Sequence, residues 1–238
     1  MFHLIFYKPI YNLLVIFLNI IPLHDIGASI IMVTVVVKLV LLPLNLRATK
    51  SQYLMKALDE EIKVLKENHK HNQQELSLKI MEVYKREKIN PLSSLFVMII
   101  QIPIFFALYF VFSKGMFNDP NSIYNFVTFP AVLHTEAFGL LDVTKRSLVI
   151  GIITGLSSFF LARRQTQSMS AKKGGDESFQ DHFMKSMRIQ LLYVLPVVVG
   201  LSATALPAAL GLYWVTNNII TFLQDVYIKS HIKNLNRA

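Results

Sequence analysis

The chain has 238 residues, 53% of them hydrophobic and only 16% charged, with a mean hydropathy of +0.44 and a formal net charge of +9. A soluble domain of this size carries about a quarter charged residues, and the apolar residues here cluster in runs close to the roughly 20 that span a bilayer, which excludes a soluble globular protein and implies a polytopic membrane protein. The absence of cysteine excludes disulfides, cysteine–zinc sites, thiol catalysis and a lipobox anchor.

Residues 1–23 open with an apolar stretch, Phe2 to Pro22, interrupted by Lys8-Pro9, Tyr11, Asn12 and Asn19. It lacks a basic n-region and a small-residue cleavage site, so it is expected to be retained. Were it a span, the charge-rich loops would fall on the wrong side for the helices that follow. An amphipathic helix lying in the outer interface is therefore expected. The first span is predicted at 26–46.

Residues 47–89 are polar with a helical pattern. Leu54, Leu58, Ile62 and Leu65 recur at steps of four and three, as do Leu76, Ile80 and Val83. Asp59–Lys63, Glu75–Lys79 and Glu82–Arg86 are carboxylate-first pairs at i,i+4, and Asn68 to Gln74 breaks the stripes. The pattern predicts two amphipathic helices folded into a cytoplasmic hairpin. His69 and His71 are a weak metal pattern, read as solvated turn, and no metal ligand is expected.

A second span is predicted at 90–112, an extracytoplasmic loop with Gly, Asn-Asp-Pro and Phe-Pro breakers at 113–146, and a third span at 147–162. Residues 163–188 read as a cytoplasmic loop, 189–205 and 208–228 as the fourth and fifth spans around Leu206-Pro207, and 229–238 as a basic tail. Of the 24 Lys and Arg, 10 lie between Arg47 and Lys88, 6 between Arg163 and Arg188, and 3 from Lys229 onward. Placing those segments in the cytoplasm puts 19 cations inside and 4 outside, as the enrichment of cytoplasmic flanks requires. That distribution argues for membrane topology rather than sequence-specific nucleic-acid binding. The N-terminus is expected outside and the C-terminus inside.

Lys38 is the odd cation. At about 1.5 Å of rise per residue it lies roughly 3 Å to the cytoplasmic side of the middle of its span, where a lysine costs on the order of 2.5–3.5 kcal/mol to insert. Gly27, Thr34, Lys38 and Asn45 are spaced 7, 4 and 7 apart and form one polar stripe. Snorkelling over roughly 12 Å is more than a lysine can cover, and the one carboxylate within a predicted span, Asp225 near the inner end of the fifth, is too shallow to pair with it. A charged group so placed marks a functional site and implies a hydrated cavity. Catalysis is not expected: Thr34 shares the face of Lys38, but there is no G-x-S-x-G elbow, no carboxylate at mid-span depth and no P-loop.

The chain resembles the YidC/Oxa family of membrane protein insertases in four ordered motifs. "FYKPIYNLL" is similar to the family's interfacial helix. "VVVKLVLLPLNLRATKSQ" is similar to its first core span, where a basic residue, usually arginine, stands five residues before a proline. "EVYKREKINPL" with "IIQIPIFFALYFV" resembles the hairpin exit and second span, and "LPVVVGLSATALPAALGLYWVTNNIITFLQ" the last two spans. The resemblance implies an all-α membrane protein: a five-transmembrane-helix bundle with a hydrophilic groove, an N-terminal interfacial helix and a cytoplasmic helical hairpin. The groove opens to the cytoplasm and the lipid, and its positive residue corresponds to Lys38. Acidic or polar segments of incoming chains would be drawn into it.

Thr34, Asn45, Gln101, Tyr213, Trp214, Asn217 and Asn218 are candidate groove residues; the aromatics could equally be packing, and the amides could equally bond between helices. Lys50, Lys63, Lys66, Lys70, Lys85 and Arg86 are candidates for recruiting clients or the ribosome. Nascent membrane proteins are the implied partners, with the Sec translocon, the ribosome and anionic lipids as further candidates and no cofactor. The chain departs from the family pattern in Lys38 for arginine, which keeps the charge and loses the bidentate fork, and in Ser94-Leu95, Val97 and Ala162. The large extracytoplasmic domain of some relatives and a long basic tail are not seen. With no transit peptide, a bacterial plasma membrane is expected. A small anion channel or solute carrier using Lys38 as its anion site is the alternative.

Overall fold

The computed structural model describes residues 1–69, 72–90, 92–113, 119–130, 133–166 and 185–235. Lys70, His71, Pro91 and most of the predicted loop 163–188 lie outside them. The chain divides into two compact units, residues 1–39 with 103–222, and residues 40–102 with 223–238.

The first unit begins with a π-turn, His3–Tyr7, that runs into α1, Lys8–Ile20. Tyr11, Leu14, Val15 and Leu18 recur at three- and four-residue steps and are fully buried, the single apolar face that a helix presents to its neighbours. Polar residues expected to interrupt this stretch instead tie it down. Asn12 Nδ2 donates to the carbonyl of Ser122 (2.7 Å) and its Oδ1 accepts from Tyr124 N (2.7 Å), while Asn19 Nδ2 donates to the carbonyl of Thr128 (2.7 Å). The loop at 119–130 is thereby stitched to α1, and three of its backbone groups are met by side chains.

Helix α2 spans Ile26–Val40. Asp25 caps it, accepting from Ala28 N (2.8 Å), and also accepts from Phe138 N in the turn of a small hairpin, β1 Glu136–Ala137 and β2 Leu141–Asp142. The hairpin sits so close that a Cβ on Gly27 would overlap Ala137. The helix breaks at Leu41, two residues before Pro43, which has no N–H to return to the carbonyl of Leu39. The stretch predicted as one span at 26–46 is thus two helices, α2 and α3, Leu42–Ala57.

Helices α6, Ser93–Ser113, α7, Leu148–Thr166, α8, Leu195–Ala205, and α9, Ala208–Leu235, carry the other predicted spans. A π-turn, Gln190–Val194, leads into α8 as part of a longer helix, Lys185–Ala205. Helices α7 and α8 meet along glycine: a Cβ on Gly200 would lie 3.0 Å from the Cα of Gly155 and 3.2 Å from the carbonyl oxygen of Gly151. Small residues let membrane helices approach this closely. Among the described residues, His3–Ile20 and Lys185–Ala205 are by themselves long and apolar enough to cross a membrane, and α2 with α3 would make a third if taken as one broken span. Helix length and hydropathy alone therefore mark two or three spans among the described residues, and one of them, His3–Ile20, is the stretch expected to lie in the interface.

In the second unit, α4, Asp59–Asn68, and α5, Gln73–Arg86, lie side by side with Ile62, Leu76 and Val83 buried, residues of the two stripes read from the sequence. Arg86 reaches across to grip Glu61 with two bonds (2.7 and 3.0 Å) rather than pairing along its helix with Glu82, which is met by Lys79 (3.0 Å). A forked contact between helices fits the guanidinium better than an i,i+4 pair does. Arg86 holds the Glu61 carboxyl below its usual range, so this contact is present above the ordinary glutamate pKa and fades as pH falls through the lowered one. Spin labels at Val64→Cys and Leu78→Cys, both exposed, are expected to show a distance distribution that is narrow at pH 7 and broad only well below the unperturbed glutamate value of about 4.3. Glu61→Gln is expected to show the broad distribution at both. A distribution that ignores pH in the unmodified chain would show that apolar contacts alone hold the pair.

Candidate functional site: a buried lysine between two helices

Lys38 lies in the last turn of α2, only 7% exposed. Its Nζ donates to Thr221 Oγ1 of α9 (2.9 Å), and that hydroxyl donates to the carbonyl of Asn217 one turn earlier (2.7 Å). The ammonium is thus the end of a short relay whose polarity runs outward from the charge. A lysine has three donors, and among the described residues this is its one hydrogen bond; it forms no ion pair there. A buried ammonium held by one hydroxyl is under-satisfied and favours any anion that can reach it.

The other predicted residues divide. Thr34, 2% exposed, donates to the carbonyl of Ile30 on its own helix (2.7 Å), so its hydroxyl proton is occupied. Asn218 Nδ2 donates to Ser157 Oγ (3.0 Å) and Ser158 Oγ (2.9 Å) of α7, fastening α9 to α7, the second of the two roles considered for it. The side-chain oxygen of Asn217 is buried with no hydrogen-bond partner among the described residues. Tyr213 is 2% exposed, and Trp214 lies against Phe105 of α6 with ring centroids 4.9 Å apart. Both aromatics are packed. Asn45 and Gln101 belong to the second unit, where Asn45 Nδ2 donates to Gln224 Oε1 (3.4 Å).

Among the proposed recruitment residues, Lys50, Lys66, Lys85 and Arg86 are exposed and Lys63 is partly so, with Arg86 already engaged by Glu61 and Glu87. Sequence reasoning missed Thr221 as the partner of Lys38. The available signal was its place one turn from Asn217 on the same face of α9.

The sequence matches the family model described as 60Kd inner membrane protein over residues 17–235. It is 32% identical over 205 residues to the membrane protein insertase YidC of Francisella philomiragia, covering 86% of this chain and 32% of that protein. The corresponding proteins of Francisella tularensis give the same figures. With the membrane protein insertase YidC of Fusobacterium nucleatum it is 30% identical over 202 residues, 85% of each chain. The chain spans about a third of the length of the Francisella relatives and most of the Fusobacterium one.

Proposed function

This chain belongs to the YidC/Oxa family of membrane protein insertases, and from that membership we propose that it inserts integral membrane proteins and helps them fold, without using nucleotide. The observation that carries the reading is a family match along nearly the whole chain, with a buried lysine where the resemblance places the family's basic residue. In this reading Lys38 lines a hydrophilic groove open to the cytoplasm and draws in an acidic or polar client segment. The apolar segment that follows then partitions sideways into lipid. Release stays possible because the hold is one charge and some hydration. The anion-channel alternative has no support in the relatives, which carry insertase names.

The proposed setting is a bacterial inner membrane crossed five times, with the N-terminus outside, the C-terminus in the cytoplasm, α1 in the outer interface and α4–α5 in the cytoplasm. The Sec translocon, the ribosome and anionic lipids are further partners in this reading. Reconstitution into proteoliposomes tests it: a single-span client with an acidic leading segment is expected to become protease-protected, with no accompanying anion flux. Flux without protection would reverse the assignment.

Topology is checked separately, in a chain with no native cysteine. Gln73→Cys at the start of α5 is expected to resist an impermeant thiol reagent applied to intact cells and to label after lysis. Labelling from outside would invert the arrangement.

A further inference from the structure

Two arginines that the insertion reading leaves unused, Arg163 and Arg188, line one cavity of about 500 Å³, walled by Phe159, Thr166, Leu192 and Tyr193. Arg163 lies in the last turn of α7, and Arg188 in the first turn of the Lys185–Ala205 helix. The rings of Phe159 and Tyr193 approach to 6.0 Å across the same seam. Two helices thus bring one arginine each to a shared opening that two aromatic rings, a leucine and a threonine also line. Among the described residues neither guanidinium forms an ion pair or a hydrogen bond. Arg164 is engaged elsewhere, over the ring of Phe222 at 5.1 Å.

Charge and shape together narrow the occupant. Two guanidiniums with no acid paired to them among the described residues call for an anion, and their planar forks match phosphate oxygens. Phe159, Leu192 and Tyr193 would be poor neighbours for a free inorganic ion but suit an acyl chain. The cavity sits at the ends of membrane helices, where basic pockets between spans receive phosphate headgroups. We propose that this cavity seats the headgroup of an anionic phospholipid of the cytoplasmic leaflet. Arg163 and Arg188 hold its phosphate from two helices, and the apolar wall lies against its chains. The lipid then bridges α7 to the Lys185–Ala205 helix at the end away from the glycine contact of Gly151. The leaflet, though not the pocket, rests on the topology proposed above.

Native mass spectrometry of the full chain in mild detergent, with phosphatidylglycerol, diphosphatidylglycerol or phosphatidylethanolamine added, tests the site. Both anionic lipids are expected to be retained and phosphatidylethanolamine largely lost. Arg163→Gln and Arg188→Gln should each lower anionic-lipid retention about fivefold, and the pair more. Lys145→Gln, beyond the opposite end of α7, should leave retention unchanged. Equal retention by the double variant and the unmodified chain, or an equal loss in Lys145→Gln, would overturn the proposal. So would full displacement by millimolar glycerol phosphate, which would make the site one for a soluble phosphate. Client insertion measured on the same preparations separates the two readings. Retained lipid without insertion counts against the function alone, and insertion with no arginine-dependent lipid counts against this site alone.

Discussion

Lys38→Ala is expected to give a folded, membrane-integrated protein that inserts acidic-tailed single-span clients poorly. Removing the ammonium relieves a cost on the order of 2.5–3.5 kcal/mol and orphans nothing, because the Thr221 hydroxyl still donates to the carbonyl of Asn217. Stability should therefore hold or rise while activity falls. The attraction of one unit charge for another is about 4 kcal/mol at about 4 Å in surroundings of effective dielectric about 20. If only about a quarter of it survives desolvation of the client carboxylate, occupancy still changes about fivefold. Lys38→Arg should retain activity, since a charge rather than a fork is required. Lys38→Glu should be worse than Lys38→Ala because it repels the same clients. Thr221→Val keeps the charge and removes its anchor, and is expected to lose less than Lys38→Ala. The measurement is protease-protected insertion of one client with its acidic residues present or neutralised, at equal expression of each variant. Equal loss for both client forms would mean that the lysine only holds the site open. No loss in Lys38→Ala would end the receptor reading.

What could be read from the sequence, and what could not, follows from how local each signal is. Lys38 stands out because a charge in an apolar run violates a composition rule visible in about one helix length. The stripes of α4 and α5 are equally local, and Ile62, Leu76 and Val83 are buried as their spacing predicts. Thr221 was not legible as the partner of Lys38: a hydroxyl in an apolar helix is commonplace, since the carbonyl one turn back satisfies it, and here it has that bond as well. Nor was the choice of Arg86 for Glu61 over Glu82, because an i,i+4 rule sees one helix and the forked contact needs two. Asn12 looked like an interruption and proved to be the anchor for the loop at Ser122 and Tyr124. The break at Leu41 had a visible cause in Pro43 that the reading of 26–46 as one apolar run left unused. The glycines of α7 offered a signal that was left unread: Gly151 and Gly155 are four apart, the small-residue spacing of a close helix contact.

Gly200→Leu is expected to damage the fold severely. The first carbon alone would stand 3.0 Å from the Cα of Gly155 and 3.2 Å from the carbonyl oxygen of Gly151, and both are backbone, which cannot rotate out of the way. The helices must separate, and separation loosens more than the glycines. Helix α7 also carries the Thr154 hydroxyl that donates to the carbonyl of Gly211 (3.3 Å) and the serines that hold Asn218. Overpacking in a tight core costs about 1–3 kcal/mol, occasionally more, and rigid neighbours put this site at the upper end. Gly200→Ala meets the same two atoms with one carbon and should lose less. Gly139→Ala is the contrast: nothing lies within 4 Å of its Cβ, but its φ of +66° leaves about 1–2 kcal/mol of backbone strain. Thermal unfolding in detergent, followed through the single tryptophan, Trp214, should rank the variants Gly200→Leu lowest, then Gly200→Ala and Gly139→Ala, all below the unmodified chain. In a chain of this size about 1 kcal/mol moves the midpoint by about 2–4 °C, so a Gly200→Leu midpoint within about 2 °C of the unmodified protein would show that α7 and α8 do not meet along these glycines.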